Sequence, residues 1–156
     1  MSTRLGLLLA AMVLHTGAVE AQDVPFAAAT IETCLARTSE PGACIGVGAA
    51  ACQSEAGLGS AGICLGAENA FWLARIADLE VSLQAGAGAR TVRSLRRGVP
   101  TPTLPEVADA LAQYRRVVCE FRVAQWDGMM TGPEEIDCQM RINAAHALYL
   151  SGLVTP

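Results

Sequence analysis

The chain contains no lysine; all eleven of its basic residues are arginine, a bias that carries no functional reading. Acids outnumber them by fifteen to eleven, giving a net charge of −4. An acidic balance argues against a nucleic-acid partner and suits a basic one, which it would steer by long-range attraction. Aromatics are scarce, with three Phe, two Tyr and two Trp. Alanine is abundant, so close-packed helices are expected rather than a bulky core. No C-x-x-C pair is present, which excludes a thioredoxin-like redox centre. There is no Gly-rich phosphate loop and no Ser-centred nucleophile elbow. His146 is the one histidine outside the leader-like N-terminal segment, and no close-set ligand cluster surrounds it, so zinc and cofactors are not expected. Adjacent Glu134 and Glu135 point about 100° apart on a helix, a poor geometry for a glycan-cleaving carboxylate pair. No catalytic activity is expected.

Long apolar runs are also missing, with one exception. Arg4 precedes the apolar residues 5–14, and Val19-Glu20-Ala21 places small residues at both positions that a signal peptidase reads. Residues 1–21 therefore read as a secretory signal peptide cleaved after Ala21. The run is too short to span a bilayer comfortably, and no cysteine at the cleavage point offers a lipid anchor. What remains, residues 22–156, suits one domain. It is expected to be soluble, without a membrane anchor, and periplasmic or secreted.

Six cysteines follow: Cys34, Cys44, Cys52, Cys64, Cys119 and Cys138. An even count in an exported chain reads as three disulfides. Sequential pairing, 34–44, 52–64 and 119–138, ties each helix to the next. A nested alternative, Cys34 with Cys64 and Cys44 with Cys52, is equally open to the first four.

The fold class is all-α: a small disulfide-stapled bundle of about four to five helices ending in a helical hairpin. Asp23 is a candidate cap for a first helix, in which Ile31, Cys34 and Leu35 make an apolar stripe. Ser39 and Pro41 suit the start of a second helix through residues 43–53, which Gly46 and Gly48 each weaken by about 1 kcal/mol. After a glycine-rich loop, with Ser60 a candidate cap, a long helix over residues 63–84 is expected. Phe71 and Trp72 are its core anchors; Glu68 and Arg75 share a solvated side. Residues 85–102 are a flexible connector carrying Arg90, Arg93, Arg96 and Arg97, read as a solvated basic loop.

The hairpin occupies residues 103–152. Thr103 and Glu106 form a capping box with Pro105 in the first turn. Leu104, Val107, Ala108, Leu111, Val118, Phe121 and Gln125 or Trp126 then recur at roughly helical spacing. Gly128, Gly132 and Pro133 break the run. Thr131 and Glu134 repeat the capping pattern, and Gly152 is a stop signal. Cys119 and Cys138 lie at similar heights on the two arms, so a bridge there would contribute on the order of 3 kcal/mol.

The order of these features resembles the LprI-type lysozyme inhibitor family. The motifs that carry the resemblance are Cys34, Ala43-Cys44-Ile45-Gly46, Ala50, Cys52, Cys64-Leu65, Glu68 and Trp72. Tyr114-Arg115, Cys119, Cys138, Arg141 and Leu148 extend it through the hairpin. The chain departs from the family in having Leu73 after the tryptophan, and Leu111 and Arg116 where a tryptophan and an aspartate are usual. The resemblance implies a non-enzymatic exported helical domain that binds a protein partner, in some members a lysozyme. It supplies no residue-level inhibitory site. Asp127, Glu134, Glu135 and Asp137 cluster beside the hairpin turn. They are candidate partner-binding acids, with helix-dipole stabilisation as the other reading. An envelope accessory protein that binds an unknown periplasmic partner without inhibiting lysozyme is the alternative function.

Overall fold

A computed structural model describes residues 24–86, 98, 100, 102–125 and 131–154. The signal-peptide reading, Asp23, the four connector arginines, Trp126, Asp127 and Gly128 fall outside them. Within the described residues the chain is all-helical. It comprises α1 (Ala28–Arg37), a 3-10 turn (Pro41–Cys44), α2 (Val47–Ala56), α3 (Ala61–Ala85), α4 (Leu104–Val123) and α5 (Thr131–Val154).

The long pair of α3 and α5 makes the core; the two run parallel, Gly62 lying by Ile136, Asn69 by Asn143 and Glu80 by His146. Trp72, Ile76 and Leu83 lie on one face of α3 and meet Met140, Ala144, Ala147 and Leu150 of α5, with Ile31 of α1 completing the cluster. Alanines on α5 let the two helices approach closely, and Trp72 fills the space this leaves at zero exposure. Burial of each large side chain contributes about 1.5–3 kcal/mol. Phe71 packs edge-on against Trp72, with ring centroids 5.1 Å apart.

The cysteines pair sequentially: Cys34–Cys44, Cys52–Cys64 and Cys119–Cys138. The first ties α1 to the 3-10 turn, the second α2 to α3, and the third α4 to α5. The nested alternative is not formed.

Four local expectations are corrected. A continuous second helix gives way to the 3-10 turn and α2, because Gly46 adopts φ 95° and breaks the run. Ser39 does not cap it; Thr38 Oγ1 accepts from the Glu40 N–H instead. Ser60 precedes α3 but makes no side-chain cap, its hydroxyl donating to the Gly57 carbonyl. Gly152 does not stop α5, which runs on to Val154. The capping box of α4 is present: Thr103 accepts from the Glu106 N–H and Glu106 from the Thr103 N–H. These bonds hold the Glu106 carboxyl below its ordinary pKa.

The largest correction concerns Glu68, expected on a solvated face and found at zero exposure. Its Oε1 accepts from the Gly46 N–H at 2.7 Å and from Trp72 Nε1 at 2.9 Å. Oε2 accepts from the Ala49 N–H at 2.7 Å. Gly46 is the N-cap of α2, so a carboxylate reaching over from α3 satisfies two amides that the first turn leaves without partners. The negative charge also sits at the positive end of the α2 dipole.

Candidate functional site

α4 packs against α5 far more than against α3. Its sequence suggests an inward stripe that includes Phe121. The structure reverses this at the C-terminal half: Phe121 is 70 % exposed, beside Val117 at 49 % and Tyr114 at 57 %. What turns inward there is Arg115, Cys119 and Arg122. Arg115 NH1 donates to Asn143 Oδ1 at 2.7 Å, and Asn143 Nδ2 in turn donates to Asn69 Oδ1 at 2.7 Å. That chain leaves the fully buried Asn143 side chain satisfied on both sides. Arg122 binds Glu134 through both Nε and NH2, and reaches Asp137 Oδ2 at 3.2 Å. The disulfide to Cys138 lies between these polar groups. In this half the buried side of α4 is held by charge, amide and sulfur, while Tyr114, Val117 and Phe121 face solvent; Leu104 packs on the core and Val118 is half-buried.

The candidate acids were brought to this same interface. Asp137 accepts from Arg141 Nε at 2.9 Å as well as from Arg122. Glu134 accepts from Arg122, whose charged form is favoured chiefly by that bond. Glu135 alone is exposed among the three described acids, and it accepts from Gln139 Nε2. Asp127 lies outside the described residues. Glu134 and Asp137 thus have intramolecular partners, and the two arms of the hairpin are locked by ion pairs around the bridge. The pairing was hidden from the sequence because Arg122 and Glu134 sit on different helices. Only the disulfide register would have placed them opposite one another.

A small cavity of about 140 Å³ lies where α3, α4 and α5 meet, lined by Ile76, Glu80, Leu111, Arg115, Asn143 and His146 among others. His146 is half-buried and stacks on Tyr149, with ring centroids 6.4 Å apart. Burial lowers its pKa, and the Glu80 carboxylate partly opposes that. The cavity falls well short of the 300 Å³ or so at which small-molecule sites begin. Beside it, sharing Glu80 and Ala108, lies a larger but more open cleft of about 440 Å³ between α3 and α4, walled by Ala77, Val81 and Leu104. Among the described residues no group of three His, Cys, Asp or Glu side chains could hold a metal ion. Among them, too, no helix is long and apolar enough to cross a membrane.

Comparison with family models, with curated proteins and with solved structures yields no match. The likeness to LprI-type inhibitors therefore rests on the motif residues alone. The structure gives a physical reason for one part of that motif. Glu68 and Trp72, one turn apart on α3, form one hydrogen-bonded unit with Gly46 of α2, 22 residues before Glu68.

Proposed function

We propose that the protein is a non-enzymatic binding domain of an oxidising compartment outside the cytoplasm, periplasmic or secreted, and that the outward face of α4 is its recognition surface. One observation carries this reading: Tyr114, Val117 and Phe121 are exposed on a helix whose other side is fixed by a disulfide and ion pairs. Exposed aromatics on a rigid element supply contact area at little entropic cost. Three disulfides fit an oxidising location.

A lysozyme is the first target to test, following the LprI-type resemblance and the acidic net charge. Lysozyme-driven clearance of a cell-wall suspension is measured with and without the mature protein. Inhibition that Phe121→Glu weakens supports the reading. Unchanged clearance at high molar excess removes lysozyme as the target.

A second reading, an envelope accessory protein that binds without inhibiting, is favoured by the fate of the acids. Glu134 and Asp137 are already neutralised by Arg122 and Arg141. The surface left for a partner is apolar rather than acidic. Pull-down from periplasm with the wild type and Phe121→Glu in parallel separates this reading from the first.

A further inference from the structure

The outward face of α4 has a regular spacing. Half-buried Val107 and the exposed Ala110, Tyr114, Val117, Phe121 and Ala124 follow one another at alternating steps of three and four residues, the seam of a two-stranded coiled coil. Cys119 is on the opposite side of the helix, so the bridge to α5 anchors α4 without touching the seam. Resting on the reading of this face as a recognition surface, we propose that it takes a second copy of this chain. The two α4 helices run antiparallel about a two-fold axis between Tyr114 and Val117.

The argument is one of size. A two-fold interface is self-complementary: if one residue meets a second across it, the second meets the first. With the axis between Tyr114 and Val117, Phe121 faces the partner's Ala110, Tyr114 faces the partner's Val117, and Val107 faces the partner's Ala124. Each larger side chain meets a smaller one in every layer, the arrangement that lets facing layers interdigitate. A foreign helix would place no such demand on the order of sizes along α4. The flanks agree. Leu111 and Val118 border the seam on one edge, and Gln113 comes near the partner's Glu120 on the other, so no like charges are opposed there.

Area sets the strength. The seam is about 26 Å long and buries a few hundred Å² per protomer, short of the roughly 800 Å² of a standard stable interface. The dimer is therefore weak, forming in the micromolar range or above. Because each protomer carries −4, added salt favours it.

The test is sedimentation velocity on the mature chain across the micromolar-to-millimolar range, with and without added salt. A monomer–dimer equilibrium strengthened by salt is expected. Phe121→Glu should remain monomeric with an unchanged unfolding midpoint, since the side chain is exposed. Ala110→Phe alone should weaken the dimer by setting two phenylalanines against each other, and Ala110→Phe with Phe121→Ala should restore it. A wild type monomeric at every concentration overturns the proposal, as does a dimer indifferent to Phe121→Glu, or a wild-type monomer that binds lipid vesicles through this face. The failure is separable from that of the proposed function. A monomeric wild type whose effect on lysozyme is abolished by Phe121→Glu loses the dimer and keeps the binding surface.

Discussion

The carboxylate of Glu68 on α3 accepts the backbone N–H of Gly46, the N-cap of α2, at 2.7 Å. With the Ala49 N–H and the Trp72 indole it forms the polar centre of the N-terminal half. Removing the acceptor strands two buried donors, the Ala49 N–H and the Trp72 indole, and one half-buried donor, the Gly46 N–H. Each buried, unsatisfied donor costs about 1–3 kcal/mol. Glu68→Gln keeps one acceptor oxygen and should lower stability by about 2 kcal/mol; Glu68→Ala should cost about 4 kcal/mol or more. Urea unfolding measures both, with Trp72 fluorescence reporting the lost indole bond. A change below about 0.5 kcal/mol, the level expected for an exposed control such as Glu32→Gln, would show the network to be unimportant.

The bridge between Cys119 and Cys138 closes a ring with a sequence separation of 19. Replacing both by serine should cost about 3 kcal/mol. The loss should be uneven. α4 is held mainly by α5, so its amides should exchange with solvent much faster while those of α3 and α5 stay protected. Uniform loss of protection would mean that α4 is integral to the core.

His146 ties stability to pH. Burial lowers its pKa in the folded chain, so the unfolded chain takes up the proton first as pH falls. Its contribution is fully present above the unfolded value of about 6.5 and is lost as pH drops through the lower folded value. His146→Gln should flatten that part of the stability profile. An NMR titration midpoint for His146 at or above about 6.5 would contradict it.

Gly48 is where α1 rests on α2. A Cβ there would lie 2.9 Å from Ile31 Cδ1 and 2.9 Å from Phe26 Cε2. Gly48→Ala gains about 1 kcal/mol of helix propensity, but overpacking of about 1–3 kcal/mol outweighs it. The net effect should be destabilising. Ile31→Val, which removes the Cδ1 atom, should recover part of the loss in the double variant. Thermal unfolding of the three variants decides it.

The helices, the capping box of α4 and the 119–138 bridge were legible from local signals, whereas the pairing of the first four cysteines stayed open between sequential and nested. Thr103 and Glu106 sit within one turn, and every bridge joins neighbouring elements. Glu68 was not legible. A glutamate in a helix reads as solvated until its partners are known, and Gly46 lies 22 residues away. The orientation of α4 failed for a related reason. Leu104, Val107, Leu111 and Phe121 fall within about 100° of arc, as one buried face would, but the inward direction is centred on Arg115, Cys119 and Arg122, which leaves Phe121 outside it. Arg115 and Arg122 read as surface residues, and their acceptors Asn143 and Glu134 belong to the other arm.

No sulfur bridge crosses the stretch between α3 and α4: two rings lie wholly before it and one wholly after. The chain is thus two covalently closed parcels joined by a single strand of backbone. A protease cut within that strand would leave the parcels together through the α3–α5 core, yet they would migrate apart on a non-reducing denaturing gel. As the polypeptide emerges into an oxidising medium, each ring can also shut before the next pair of thiols arrives, without reshuffling.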